Sequence, residues 1–186
     1  LKVTLAIITE QVVGQLKVDA ASILLLNPHT RNLEFGAGSG FRTDLIRTAL
    51  VKEGESLAGR VALGRTPLEM HDVDVEGTDA QLAELWRQES FSFYYAVPLI
   101  AKGQVKGVLE VFQCRPFQTN PEWTDFLDAL AQQAAIAIDN AQLFNNLKHA
   151  NLELALAYDS TIEGWSRALD LRDKETEGHT RRVTEL

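Results

Sequence analysis

The sequence contains little that would support a disulfide, a nucleic-acid surface or a membrane span. Its one cysteine, Cys114, excludes an internal disulfide and a cluster of thiolate metal ligands. With 18 basic against 26 acidic residues the formal net charge is −8, whereas nucleic acids and anionic membranes require a basic surface. No apolar run approaches the roughly 20 residues of a membrane helix. We therefore expect a cytoplasmic protein that binds neither nucleic acid nor membrane.

The hydrophobic content is sufficient for one folded domain with a helical extension. Of 186 residues, 45% are hydrophobic and 24% are charged, close to the average for soluble globular proteins. Apolar residues at helical spacing predict helices over residues 3–18, 57–63 and 80–89. Apolar runs bounded by turn residues predict strands over residues 22–26, 33–37, 67–73, 94–101 and 104–113. This order predicts an α+β fold, an antiparallel sheet with the N- and C-terminal helices packed on one face.

A helix-like pattern begins at Pro121 and continues well beyond the length of an average helix. Its apolar residues follow a seven-residue repeat and then shift: Ile136, Leu143, Leu147, Ala150, Leu154 and Ala157, followed by Ile162, Trp165 and Leu169. A single helix would leave this stripe in water, whereas two helices can bury it in a coiled coil. We therefore expect a homodimer formed through the N-terminal helix and the long C-terminal helix.

Three stretches resemble GAF domains: ASILLLNPHTRNLEFGAGSG, GESLAGRVALGRTPLEMHDV and YYAVPLIAKGQVKGVLEVFQ, the last followed by the long helix. Ser56, in the second stretch, stands where many relatives have glycine. The resemblance implies a five- to six-stranded antiparallel sheet with helices on one face and a small-molecule pocket on the other. We assign residues 1–145 to a GAF sensory and dimerisation domain, followed by a signalling-helix linker over residues 146–172.

The last part of the chain, YDSTIEGWSRALDLRDKETEGHTRRVTEL, resembles the start of HD-GYP domains, which hydrolyse cyclic di-GMP with a two- or three-metal centre. The resemblance maps one metal ligand of that family to His179 and a further ligand of some members to Glu175. We assign residues 173–186 to the start of a truncated HD-GYP domain, because the HD and GYP steps would follow Leu186. The chain begins at Leu1 rather than Met and stops within a helical pattern, so we expect both ends to be cuts in a longer protein.

The resemblance to HD-GYP domains implies different properties for this chain and for the longer protein. The longer protein would be a metal-dependent phosphohydrolase that holds divalent iron or manganese. For the present chain we expect no cofactor and no enzymatic activity, because two ligands cannot assemble a metal-activated hydroxide. In this chain alone, His179 and Glu175 are interpreted as two solvated residues on a terminal helix.

The ligand pocket is expected between the sheet and two connecting segments, Gly36–Thr43 and Pro67–Asp79. The candidate pocket residues are Phe41, His71, Phe93, Tyr94, Tyr95 and Val97. Because neighbouring strand residues face opposite sides, one of the two tyrosines should face the pocket. Core packing is the alternative for the aromatic residues, and capping of a strand is the alternative for His71. Four acidic residues favour a neutral or cationic ligand: Asp72, Asp74, Glu76 and Asp79.

Gly36, Gly38 and Gly40 lack the strand–GxGxxG–helix order of a dinucleotide site, so we interpret them as a flexible stretch of backbone.

Taken together, the features of the sequence predict a module that senses a small molecule, dimerises and gates a downstream HD-GYP cyclic di-GMP phosphodiesterase. The alternative is a ligand-free structural dimerisation module with a collapsed pocket.

Overall fold

A computed structural model of the chain describes residues 1–48, 50–71 and 80–184, without the side chains of residues 48, 50, 80–82, 168 and 170–184. The chain separates into two compact units, Leu1–Ala141 and Gln142–Leu186. The elements in chain order are α1 (Lys2–Leu16), β1 (Ala20–Leu26), β2 (Asn32–Ser39), a 3-10 turn (Leu45–Thr48), β3 (Leu50–Lys52), α2 (Leu57–Gly64), β4 (Leu68–His71), α3 (Ala80–Glu89), β5 (Phe93–Ala101), β6 (Gln104–Gln113) and α4 (Pro121–Thr184).

The described strands form one six-stranded sheet in the order β3-β2-β1-β6-β5-β4. Every pair of neighbours is antiparallel, which confirms the predicted α+β fold. The β5–β6 hairpin turns through Lys102 and Gly103, whose φ angles of 50° and 74° are both left-handed. Positive φ at both central residues is the geometry of a type I′ turn, which matches the natural twist of paired strands.

Helix α1 and the beginning of α4 cover one face of the sheet, as predicted. Leu5, Ile8, Val12 and Leu16 of α1 are buried there, and their spacing places them on one side of the helix. Helix α4 starts at Pro121, and the Asn120 side chain accepts a 2.9 Å hydrogen bond from the backbone N–H of Trp123. We call this surface of the sheet the helix face.

The opposite face is covered by α2, by the second half of α3 and by the connection that follows β2. Helix α2 begins at Ser56, whose hydroxyl accepts a 3.3 Å hydrogen bond from the backbone N–H of Gly59. The φ angle of Ser56 is 78°, a conformation that glycine adopts at lower cost. This explains why glycine suits the same place in similar sequences. We call this surface the polar face, because it contains the buried polar side chains described below.

One element was not predicted, and one local prediction was wrong. The short edge strand β3 was not predicted, because three residues are too few to show a period. Gly36 and Gly38 were interpreted as flexible backbone, yet both lie within β2. A Cβ atom added to Gly36 would stand 2.9 Å from Leu25 Cγ, so the missing side chain allows close packing against β1 rather than flexibility.

The second unit, Gln142–Leu186, continues helix α4 to Thr184. Its described apolar residues are exposed, including Leu147 at 62% and Leu154 at 55%. The predicted repeat is therefore present on the surface of this helix. No helix in the described ranges combines the length and apolarity that crossing a membrane requires.

Candidate functional site

A buried carboxyl group lies near the middle of the sheet, on the polar face. Glu110 of β6 stands across from Ser22 of β1 on one side and Ala96 of β5 on the other, and only 3% of its surface is exposed. The Ser22 hydroxyl donates a 2.7 Å hydrogen bond to Glu110 Oε2, and the Tyr94 hydroxyl donates a 2.9 Å bond to Oε1. We call these three residues the Glu110 cluster.

Burial controls the proton affinity of this cluster. It raises the pKa of Glu110 from its usual 4.5 to about 6, against the opposing effect of the two hydrogen bonds. Burial, with the adjacent Glu110 carboxyl, also raises the pKa of Tyr94 well above its usual 10. The tyrosine hydroxyl is therefore protonated and available as a donor at neutral pH. Both described partners of Glu110 are neutral hydroxyls, so the cluster holds an ionisable carboxyl without a cationic partner among the described side chains.

Aromatic rings pack beside the cluster on the same face. Tyr94 and Phe91 lie 5.3 and 4.8 Å from Phe112, measured between ring centroids. Trp86 lies 5.9 Å from Tyr94 and 6.0 Å from Phe112. The indole Nε1 of Trp86 is buried and has no hydrogen-bond partner among the described residues. Since a buried unpaired donor costs free energy, this atom is a natural contact point for an added acceptor.

Phe41 completes the aromatic cover from the connection after β2. Its ring lies 5.4 Å from Phe112 and 6.0 Å from Phe91. A Cβ atom on Gly38 would lie 3.2 Å from Phe41 Cε2, and Gly38 is the register partner of Ser22. Phe41 therefore lies over Gly38 of β2, the strand next to the one that carries Ser22 of the Glu110 cluster.

A second buried carboxylate holds the Phe41 connection in place. Glu89, at the end of α3, is only 1% exposed. It accepts hydrogen bonds from the backbone N–H of Arg42 at 3.0 Å and from the N–H and hydroxyl of Thr43, both at 2.7 Å. These donors satisfy its charge locally, so Glu89 has a structural explanation that Glu110 lacks.

Surface clefts also lie elsewhere in the first unit. One, of about 680 Å³, is lined by Glu69, His71 and residues 116–119. The His71 Nε2 and Glu69 Oε1 atoms are 2.8 Å apart, and the other Glu69 oxygen accepts a 3.1 Å bond from the Thr119 hydroxyl. Another cleft, of about 620 Å³, lies between the β5 end of the hairpin and α4. Among the described residues no group of three His, Cys, Asp or Glu side chains is placed to hold a metal ion.

The sequence profile of the GAF domain family matches residues 1–138. The chain belongs to the GAF domain family. Its six-stranded antiparallel sheet between helices is the fold of that family. GAF domains are typical sensory and regulatory modules of histidine kinases and similar signalling proteins.

Individual relatives of this GAF domain come from several bacterial proteins. The circadian input-output histidine kinase CikA of Thermosynechococcus vestitus is 35% identical over 74 residues, which is 39% of this chain and 10% of that protein. The GAF domain of a phosphoenolpyruvate-protein phosphotransferase from Coxiella burnetii is similar in structure, with a TM-score of 0.68 and 21% identity over 76% of this chain and 84% of that one. A GAF domain/HD domain protein from Geobacter sulfurreducens gives a TM-score of 0.64 and 15% identity over 76% of this chain and 94% of that one.

The structure divides the predicted pocket residues of the GAF domain between the two faces. Phe41 and Tyr94 lie on the polar face. Phe93, Tyr95 and Val97 lie on the helix face, where α1 and α4 cover them. The two tyrosines thus face opposite sides, and the ring of Tyr95 packs 5.3 Å from that of Trp123.

The remaining candidates lie outside this site. His71 is at the surface cleft beside Glu69, and its ring is 5.2 Å from Phe93. The acidic segment 72–79 lies outside the described residues. Glu175 and His179 fall within α4, and their side chains are not among those described.

Sequence reasoning named Tyr94 but missed its partners Glu110 and Ser22, and also Trp86, as functional candidates. The signal for Glu110 was present, because it is a charged residue between Val108 and Phe112 on one face of a strand. A strand that is buried on both faces can accommodate such a residue only where partners meet it. Its partner Ser22 is 88 positions away in the chain, so the contact emerges only when β1 pairs with β6.

Proposed function

We propose that this GAF domain is a small-molecule-sensing and dimerising regulatory module of a cytoplasmic signalling protein. The observation that supports the proposal best is the Glu110 cluster beneath the aromatic cover of the polar face. An ionised carboxyl that is buried without a cationic partner costs free energy, and a ligand that supplies the positive charge would recover part of that cost. The module would gate a downstream HD-GYP cyclic di-GMP phosphodiesterase through the linker at residues 146–172.

The gating part of the proposal is supported by the resemblance of residues 158–186 to the start of HD-GYP domains. The structural similarity to a GAF domain/HD domain protein from Geobacter sulfurreducens is compatible with the same domain combination. In the longer protein, Glu175 and His179 would contribute ligands to an iron or manganese centre. A ligand at the GAF domain would act by changing the balance between two arrangements of the paired α4 helices.

The dimerising part is supported by the exposed apolar residues of α4. Leu143, Leu147 and Leu154 are about half exposed or more, although each belongs to a repeat of the kind that pairs identical helices. In α1, Val3 and Ile7 are also exposed, at 74% and 50%. A second copy of this chain presents the same repeat and is therefore the partner we propose.

Sensing can be tested by a thermal-shift screen with nucleotides, amino acids and tetrapyrroles. We expect at least one class to raise the melting temperature, because a ligand that binds only the folded state stabilises it. Tyr94→Phe should weaken the response, whereas Tyr95→Phe should preserve it because Tyr95 lies on the helix face. A response that both variants retain would remove the polar face as the sensing site.

Dimerisation can be tested by light scattering at tens of micromolar. The chain is expected to be a dimer, and the double variant Leu147→Glu with Leu154→Glu is expected to be a monomer, because both charges enter the apolar seam. The matched control is Asn145→Glu with His149→Glu, which adds charge to exposed positions outside the repeat. A monomeric parent chain, or dissociation by both double variants, would contradict the proposed interface.

The division between this chain and a downstream enzyme can be tested directly. We expect the 186-residue chain to leave cyclic di-GMP intact even with added manganese or iron, because Glu175 and His179 alone would leave a metal largely hydrated. Hydrolysis that persists after purification to homogeneity would show that the catalytic machinery had been misplaced.

The second candidate function is a ligand-free dimerisation module with a collapsed pocket. The observation that favours it is the close contact of Phe41, Phe91 and Phe112, which fills part of the polar face. On this alternative no compound of the screen would bind, whereas the leucine variants would still dissociate the dimer.

A further inference from the structure

Both oxygens of Glu110 retain capacity to accept hydrogen bonds. An ionised carboxylate offers about four lone-pair positions, and the structure shows one hydroxyl donor on each oxygen. One free position per oxygen matches a group that carries two parallel N–H donors. Amidinium and guanidinium groups have this geometry, and they supply the positive charge that the described surroundings of Glu110 lack.

The groups around Glu110 also suit a flat ligand. Tyr94, Trp86 and Phe112 present aromatic rings within 6.0 Å of one another, measured between centroids. Aromatic faces attract cations and stack with planar groups. The Nε1 of Trp86, for which the described part of the chain offers no partner, adds a donor for an acceptor atom elsewhere on the ligand. The cluster therefore combines an anion, an aromatic wall and a free donor on one face.

Phe41 marks the space that such a ligand would occupy. Its ring covers Gly38, and Gly38, Ser22 and Glu110 are consecutive register partners across β2, β1 and β6. Tyr94 and Phe112 belong to strands and Trp86 belongs to α3, whereas Phe41, like Phe91, belongs to a connecting segment. Connecting segments rearrange more readily than strands and helices.

We propose that the Glu110 cluster recognises a planar organic cation of the amidinium or guanidinium class, whose flat body takes the place of the Phe41 ring. The inference rests on the proposed sensing function and adds the chemical class of the ligand. The cationic fork donates to both oxygens of Glu110 while the ring packs against Phe112 and Tyr94.

Benzamidine is the probe, with benzamide and benzoate as neutral and anionic molecules of nearly the same shape. Calorimetry at pH 7.5 is expected to show millimolar or tighter binding of benzamidine and at least roughly tenfold weaker binding of the other two, since only benzamidine pairs its charge with Glu110. Glu110→Gln keeps the shape of the side chain and should abolish the preference. Glu84→Gln, on the outer side of α3, should leave it unchanged.

The pH dependence gives a second readout. Benzamidine stays cationic throughout the range, so only the protein titrates. Two side chains face Glu110, those of Ser22 on β1 and Tyr94 on β5. Serine does not titrate, and the pKa of Tyr94 lies well above its usual 10, so neither side chain changes its charge in this pH range. With a pKa of about 6 for Glu110, about a tenth of the carboxyls remain ionised at pH 5, and benzamidine should bind about tenfold more weakly there than at pH 7.5.

Phe41→Ala tests the placement of the ring. The truncated side chain leaves a space close to the size of the probe, so benzamidine should bind this variant roughly tenfold more tightly than the parent chain. Absence of benzamidine binding to both proteins would overturn the inference, as would binding that persists in Glu110→Gln. Stronger binding of benzamide or benzoate that depends on Tyr94 would overturn the cationic class and leave the sensing function standing.

Discussion

The two faces of the sheet are both buried, but the side chains that cover them differ. The helix face is closed by α1 and α4 with aliphatic side chains and alanine, including Leu5, Leu127 and Ile138, all fully buried. The polar face buries Glu110 and Ser22 beside aromatic rings. A buried indole N–H without a partner among the described residues occurs on both faces, in Trp86 and in Trp123. The stability gained from apolar close packing does not depend on pH, whereas a buried carboxyl changes its charge with pH and can pair with a ligand. This contrast assigns stability to the helix face and is the basis for the proposed recognition role of the polar face.

The largest expected effect lies on the helix face. Leu127→Ala removes a fully buried side chain, so it should lower the free energy of unfolding by about 2–5 kcal/mol through lost burial and a cavity. Leu63→Ala removes the same atoms from a residue that is 63% exposed and should change it by less than about 0.5 kcal/mol. Urea denaturation measures both. Equal losses would mean that the helix face is not the main source of stability.

A smaller effect is expected where the polar face is anchored. The two carboxylate oxygens of Glu89 accept hydrogen bonds from three donors: the backbone N–H groups of Arg42 and Thr43 and the Thr43 hydroxyl. Glu89→Gln leaves only one oxygen to accept these bonds. The free energy of unfolding should fall by about 1–3 kcal/mol. Amide hydrogen exchange at Arg42 and Thr43 should accelerate. Glu84→Gln, partly exposed on the same helix, is the control, and similar behaviour of the two variants would remove the anchoring role.

The Glu110 cluster should give an effect of opposite sign. Because its pKa is raised from 4.5 to about 6, the folded state binds the proton more tightly than the unfolded state. The contribution of Glu110 is therefore favourable below about pH 4.5 and is lost as the pH rises through about 6, which corresponds to about 2 kcal/mol.

Glu110→Gln, which does not titrate, should accordingly be more stable than the parent chain at pH 8, by up to about 2 kcal/mol. The difference should shrink towards pH 4.5, as followed by urea denaturation across this range. A variant that is less stable than the parent at pH 8 would show that the ionised carboxyl stabilises the fold, and the contrast between the two faces would fail.

How much of this contrast can be read from the sequence depends on the distance between the partners. Helix α3 was predicted with its observed bounds, and the β5–β6 hairpin nearly so, because their periodicity and turns are local. Alternation along β5 predicted that Tyr94 and Tyr95 face opposite sides. It did not say which side receives α1 and α4, since that depends on how distant elements pack. The predicted pocket wall therefore mixed residues of both faces.

The Glu110 cluster shows the same limit more sharply. Ser22 and Glu110 meet only because β1 is paired with β6 in one particular register, and a shift by one residue would turn Ser22 to the other face. Phe41 is placed beside the cluster by the connection after β2, and Glu89 at the end of α3 holds that connection through the backbone N–H of Arg42. Local pattern can place each of these residues on a strand or in a loop, but their meeting is a property of the complete sheet. The boundaries at residues 145 and 172 stay predictions.

The smallest expected effect concerns a group of charged side chains at the edge of the helix face. Asp139 of α4 pairs with Lys102 and Lys106 of the β5–β6 hairpin at 3.0 and 2.8 Å, and hydrogen bonds from both lysines lower the pKa of its carboxyl. A lowered pKa means that the contribution is present above the unfolded pKa and is lost as the pH falls through the folded one. Asp139→Asn should therefore lower the melting temperature slightly at pH 7, and the difference should shrink as the pH falls below the usual pKa of an aspartate and should diminish at high salt.

Asp128, on the same helix, provides the opposite case. Burial, with the neighbouring Asp125, raises the pKa of its carboxyl, so its ionised form is unfavourable at pH 7. Asp128→Asn should leave the melting temperature unchanged or slightly higher at pH 7, with the difference again closing at low pH. Opposite signs for two aspartates of one helix would show that local pairing, rather than the net charge of the chain, decides what each carboxylate does. Equal shifts in both variants would assign the effect to net charge, because each substitution removes the same one negative charge.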